Sequence, residues 1–129
     1  MKKIIIILLS FILTSCDKES ILDMYLKNNC NEELHIVVHR NYDDEGVYKD
    51  IIPSNSVIQI ARSTGIHRRK KAEIPILISE LDITKNGIPI KINPLDTNRW
   101  VYEIITEYKL FKSIHHSKVT LNINPEDFE

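Results

Sequence analysis

The sequence predicts an all-β protein, an antiparallel β-sandwich of about seven to nine short strands with immunoglobulin-like or transthyretin-like topology. Three observations support this fold class. The chain of 129 residues contains 23 Ile but only 2 Ala, a composition that favours strands over helices. Apolar and polar residues alternate in several short runs, as in strands with one buried face. Clusters of Asn, Pro, Ser and Gly separate these runs, as expected of turns.

The first four predicted strands alternate apolar and polar side chains over residues 22–27, 34–39, 47–52 and 57–62. An Asn-rich turn precedes the second strand, and a polar, acidic loop over residues 40–46 follows it. The third strand ends at Pro53, which opens a turn over residues 53–56. These breaks predict strands that follow one another through short connections.

The second half of the chain continues the pattern. An apolar run over residues 73–80 contains Pro75, which indicates an edge strand or a strand start. Residues 81–92 flank Asn86-Gly87, the dipeptide of a type I′ turn, and predict a hairpin. Residues 100–108 favour a strand, although the spacing of Trp100, Ile104 and Tyr108 also fits a helix. Residues 119–123 form the last predicted strand, and a small barrel is the alternative architecture.

The N-terminus has the three parts of a secretory signal. Lys2 and Lys3 are followed by an apolar stretch over residues 4–13 and by the small residues Thr14 and Ser15. Ten helical residues span about 15 Å, whereas the hydrocarbon core of a bilayer is about 30 Å thick. We therefore expect residues 1–15 to be a cleaved signal rather than a membrane-spanning helix.

Residues 13–16, Leu-Thr-Ser-Cys, resemble the lipobox of bacterial lipoproteins. The resemblance implies cleavage between Ser15 and Cys16 and attachment of a diacylglyceryl group to Cys16. It also implies a permanent anchor, because two or more acyl chains bind a membrane stably. Residues 16–20 then form a short polar tether, and the domain covers residues 21–129. We expect an envelope location, at the outer membrane on its periplasmic face or on the cell surface, although Asp17 leaves inner-membrane retention open.

The mature chain has a slightly acidic composition. Removal of Lys2 and Lys3 leaves 15 basic and 18 acidic residues, a net charge of −3. Such a charge argues against a nucleic-acid partner. Because lipidation occupies the Cys16 sulfur, Cys30 is left as a free thiol, and we expect it to be partly buried. Trp100, the single tryptophan, is expected in the core between the sheets.

Histidines and basic residues supply the remaining candidate sites. His35 and His39 share a strand face but lie about 13 Å apart, too far to bind one metal ion. We therefore expect no metal, and solvent-facing histidines. The basic run at Arg68, Arg69, Lys70 and Lys71 is the candidate contact with a partner or with lipid headgroups. The simpler interpretation is a solvated hairpin end whose charges oppose aggregation.

The catalytic motifs that could be recognised in a sequence are missing. The chain has no Gly-x-Ser-x-Gly, His-Glu-x-x-His or Cys-x-x-Cys motif and no Gly-rich phosphate loop. We expect neither catalysis nor a cofactor.

The leading hypothesis is a lipid-anchored binding or accessory module with an envelope protein as partner. The alternative is an immunity or inhibitor lipoprotein that neutralises a toxin or hydrolase. The layout is similar to small bacterial lipoproteins of unassigned function, a resemblance that implies no activity.

Overall fold

The structure is a computed structural model that describes residues 17–41, 46–65, 77–109 and 112–129. Within them lie eight strands: β1 (Asp17–Asn28), β2 (Leu34–Arg40), β3 (Val47–Ile52), β4 (Val57–Gly65), β5 (Ile78–Lys85), β6 (Ile88–Pro89), β7 (Trp100–Lys109) and β8 (Lys112–Ile123). Short 3-10 helices at Thr97–Arg99 and Pro125–Phe128 flank the hairpin of β7 and β8. Leu110 and Phe111, which join these two strands, lie outside the described residues.

The strands form two four-stranded sheets that pack on each other. Sheet A has the order β4-β1-β8-β7, and sheet B has the order β3-β2-β5-β6. Apolar side chains of both sheets make one core, which includes Met24, Leu121, Ile36 and Ile83. The predicted all-β sandwich is confirmed.

One strand pair departs from the antiparallel prediction. β1 and β8 run parallel over their whole length, from Asp17 opposite Lys112 to Asn28 opposite Ile123. All other pairs in the two sheets are antiparallel. Alternation shows which face of a strand is buried but not the direction of its neighbour. The first and last strands also lack a short connection that would fix their direction.

Most predicted strands are found at their expected positions, and β1, β4 and β8 are longer than predicted. The apolar run over residues 73–80 is not a separate strand: residues 73–76 lie outside the described residues, and residues 78–80 begin β5, which continues into the predicted hairpin. The alternating runs at residues 22–27 and 119–123 lie within β1 and β8, each of which has 12 residues. Where the sequence predicts a polar tether, the structure has strand, because residues 17–20 pair with residues 112–115 of β8. The sequence did not predict this part of β1, because residues 17–20 are polar and the strand with which they pair lies near the other end of the sequence.

Two further expectations are decided by backbone geometry. Asn86 and Gly87 both have positive φ, 51° and 77°, and Lys85 pairs with Ile88 across the turn. The predicted type I′ hairpin is therefore present, although β6 has only two residues. Residues 100–109 form a strand and not the alternative helix.

Sheet A extends beyond sheet B at one end. The Asn28 side chain, at the end of β1, donates to the carbonyl oxygen of Ile52, which pairs with Leu34 at the start of β2. The two sheets are thus level at this end. β1 has 12 residues and β2 has seven, about 40 Å against 23 Å. The surplus length of sheet A lies at the end where β1 begins, and we call it the overhang.

Candidate functional site

Four large apolar side chains are exposed on β7, an edge strand of sheet A. They are Val101, Ile104, Ile105 and Tyr108, with relative exposures of 47%, 60%, 54% and 85%. Edge strands with exposed apolar side chains are templates for pairing with another chain. We call these four residues the β7 edge, and they are the candidate binding site.

The exposed apolar side chains of β7 lie on both faces of the strand. Trp100, Ile104 and Tyr108 lie on the face that points towards sheet B, because even-numbered residues of the strand share one face. Trp100 is buried, whereas Ile104 and Tyr108, further along the strand, are exposed. Tyr108 is level with Lys18, in the overhang. Ile104 is level with Leu22, which is buried, so the exposure of Ile104 goes with its place on the edge strand β7.

Other exposed apolar residues are more dispersed. Val47 and Ile51 lie on β3, Val57 on β4 and Ile88 on β6. Single exposed apolar residues are normal on soluble proteins. Among the described residues, the β7 edge is the largest group on one strand.

A buried carboxylate lies on the outer face of sheet A. The side chain of Asp23 has no exposed surface, and donors from both neighbouring strands surround it. Arg62 on β4 binds both oxygens, with Nε at 2.6 Å from Oδ1 and Nη2 at 3.0 Å from Oδ2. Gln59 donates to Oδ1 at 3.1 Å, and Nε2 of His116 on β8 lies 2.6 Å from Oδ2. This cluster, the Asp23 cluster, joins the three strands.

A β-bulge places two of these donors on the same face. Tyr25 pairs with Gln59 and Met24 with Ala61, so Ile60 is an extra residue in β4. Without this insertion, Gln59 and Arg62, three positions apart, would point to opposite faces of the sheet. The bulge therefore allows both donors to reach Asp23.

The Asp23 cluster changes the acidity of its carboxyl group. Burial raises the pKa of Asp23, but hydrogen bonds from Arg62 and His116 and their positive charges outweigh burial and hold the pKa below its ordinary value. The carboxylate stays charged at neutral pH, and the bidentate arginine makes the contact strong. This arrangement connects β1 to both neighbouring strands through one carboxylate.

Sheet B carries a second polar group on its outer face. One ligand atom each from His39, Glu80 and Asp82 lies within 4.8 Å of the others, and Nε2 of His39 is 3.9 Å from Oε2 of Glu80. Imidazole and carboxylate are ligands for divalent transition metals, but ligands of one tetrahedral zinc ion lie only about 3.4 Å apart. The three side chains have suitable chemistry and would have to move closer to hold an ion.

The structure describes some of the candidate residues predicted from the sequence and leaves others outside the described ranges. Cys30 is a buried free thiol and Trp100 is buried, with its Nε1 donating to the carbonyl oxygen of Pro94 at 2.8 Å, so both expectations are confirmed. His116 does not simply face solvent, because it binds Asp23. Ser15, Cys16 and the basic residues 68–71 lie outside the described residues.

Sequence reasoning missed the residues of both polar groups. Asp23 lies between Leu22 and Met24 and follows the ordinary alternation of a strand with one solvated face. Its partners are 36 to 93 positions away in the sequence. Likewise, rejection of His35 and His39 as a metal-binding pair did not consider Glu80 and Asp82 of β5, because only the register brings them together.

Three kinds of comparison with known proteins gave no match. No protein-family model, curated protein or solved structure matches it. Within the described ranges, no helix has the length and apolar composition needed to cross a bilayer.

Proposed function

We propose that the protein is a lipid-anchored, non-enzymatic binding or accessory module of the bacterial envelope, and that it recognises a partner protein through the β7 edge. The observation that carries this proposal is the exposure of Val101, Ile104 and Ile105 on one edge strand. The lipobox-like residues 13–16 support the anchor on Cys16 and hence a location in the cell envelope, for which we propose the outer membrane, with inner-membrane retention through Asp17 as the alternative.

The energetics of the β7 edge favour an added strand. Full burial of an aliphatic side chain such as Ile104 or Ile105 contributes about 1.5–3 kcal/mol. A partner strand would also pair with the backbone groups along the side of β7 that faces away from β8, where no other described strand pairs. This mode of recognition is called β-augmentation. Apolar burial and backbone hydrogen bonds would therefore both contribute to the stability of such a complex.

Charge indicates the composition of the partner. Glu103 and Glu107 are exposed and lie on the same face of β7 as Val101 and Ile105. Opposite charges directly across two strands stabilise a sheet, whereas like charges destabilise it. We therefore expect the partner strand to carry Lys or Arg opposite the two glutamates and apolar residues between them.

The test is site-specific photocrosslinking in the native bacterium with the full acylated chain. A photoreactive amino acid replaces Ile105 or, in the matched control, Val57, an exposed apolar residue on the other edge strand of sheet A. We expect one reproducible protein adduct at position 105, none at position 57, and loss of the adduct when Ile104→Lys is added.

Two results would contradict the proposal. Absence of any protein adduct at position 105 argues against a partner at this edge. Equal adducts at positions 105 and 57 indicate random collisions. A specific adduct also separates the two functional hypotheses, because a secreted toxin or hydrolase as the captured protein indicates an inhibitor.

A further inference from the structure

The register of sheet A fixes the distance between the anchoring cysteine and β7. Asp17 is the first residue of β1, so Cys16 immediately precedes the strand. Lys18 pairs with Ser113 of β8, and Ser113 pairs with Tyr108 of β7. Tyr108 is therefore level with Lys18, which the chain joins to Cys16 over two residues, at most about 7 Å.

This distance matches the thickness of the headgroup layer. The polar layer on each side of a bilayer is about 5–8 Å thick, the difference between the whole bilayer and its hydrocarbon core. With lipid on Cys16, no intervening tether separates the membrane from the sheet, because β1 starts at the next residue. The end of sheet A that contains Tyr108 is thus held at headgroup depth.

Tyr108 has the exposure and chemistry that suit this position. It is 85% exposed, the most exposed large apolar residue of the described chain. Tyrosine is enriched at membrane interfaces, where its ring contacts acyl chains and its hydroxyl group remains hydrated. On the same face, Ile104 lies about 13 Å further from the anchor and so beyond the headgroups.

We propose that the Tyr108 end of sheet A lies against the lipid bilayer, with the Tyr108 ring inserted among the headgroups. This inference rests on the proposed lipid anchor at Cys16. The contact orients sheet A with its strands pointing away from the membrane. Ile104 and Ile105 of the β7 edge are then presented above the headgroups, where a partner protein reaches them.

The test measures membrane depth at single positions of the full acylated chain. Tyr108→Cys, Ile104→Cys and Val57→Cys are each labelled with an environment-sensitive fluorophore and reconstituted in vesicles of phosphatidylethanolamine and phosphatidylglycerol. Val57 pairs with Lys27, about 36 Å from Cys16 along the strand, and is the distal control. The unsubstituted chain shows whether buried Cys30 takes up label.

We expect the label at position 108 to emit at shorter wavelength and to be quenched several-fold more by headgroup nitroxide lipids than the label at position 57, with position 104 between them. Equal quenching at all three positions, or none at position 108, would overturn the proposal. A shift at position 108 that grows with protein density would also overturn it, because a second copy then covers this residue.

The mass of the purified chain distinguishes this inference from its premise. A mass without the diacylglyceryl group shows that the anchor proposal fails. An acylated chain whose label at position 108 stays in water shows that the anchor is correct and that the orientation is wrong.

Discussion

At the scale of single residues, Asp23 determines how sheet A responds to acid. Its carboxylate lies on the outer face of the sheet, yet Arg62, Gln59 and His116 cover it completely. Because these contacts hold the pKa of Asp23 below its ordinary value, the unfolded chain binds a proton at this group more readily than the folded chain does. The charged cluster therefore stabilises the fold above the unfolded pKa.

We expect the free energy of unfolding to fall as the pH decreases from about 5 to about 2, through the lowered pKa of Asp23. Asp23→Asn should remove this part of the pH dependence and lower the free energy of unfolding at pH 7 by about 1–3 kcal/mol. We expect a value near the lower end of this range, because Arg62 is half exposed and solvent screens its charge. Urea unfolding at several pH values measures both effects. The same acid dependence in both proteins would show that other carboxyl groups cause it.

At the scale of strands and turns, the β5–β6 hairpin depends on backbone conformation at Asn86 and Gly87. Gly87 has φ of 77°, and no atom lies within 4 Å of the position that a Cβ would take. A side chain there costs only the strain of the left-handed conformation, about 1–2 kcal/mol for alanine. We expect Gly87→Ala to lower the free energy of unfolding by that amount and Gly87→Asn by less, since asparagine tolerates this conformation.

Thermal unfolding of the two Gly87 variants tests this account. Equal losses for Ala and Asn would show that the glycine is required for a reason other than its positive φ. Ser54→Ala, in the exposed β3–β4 turn, is a control that we expect to change stability little.

The strands themselves could be predicted because their signals are local. Leu22, Met24 and Leu26 alternate with polar neighbours, and this pattern predicts β1. Asn86-Gly87 is a dipeptide typical of type I′ turns and predicts the hairpin. The parallel pairing of β1 with β8 could not be predicted, since it joins residues about 95 positions apart and leaves no mark on either alternation pattern.

The candidate binding site was also beyond sequence reasoning. Ile104 alternates like a buried strand residue, but it is exposed on the edge strand β7, whereas Leu22, level with it on the central strand β1, is buried. For Asp23 the difference is the opposite: the alternation of apolar and polar residues in β1 predicts a solvated side chain, but the structure buries it. The bulge at Ile60 places Gln59 and Arg62 on the face of the sheet where they cover Asp23. In both cases burial is set by the partner strand rather than by the residue's own segment.

At the scale of the whole molecule, the reactivity of the two cysteines depends on folding and on lipidation. Cys30 is buried, and burial raises the pKa of its thiol, so little reactive thiolate is accessible in the folded protein. Cys16, if lipidated, carries its sulfur in a thioether and has no thiol in any state. Folding conceals one thiol, and the proposed modification removes the other.

We therefore expect the chain purified from bacterial membranes to react with no equivalent of a thiol reagent when folded and with one equivalent in denaturant. Cys30→Ala should abolish the reaction in denaturant, which assigns the single thiol to that residue. A second thiol in denaturant would show that Cys16 is unmodified, and the anchor proposal would then fail whatever the sandwich binds. A thiol that reacts in the folded state and is removed by Cys30→Ala would instead show that the core around β1 opens readily.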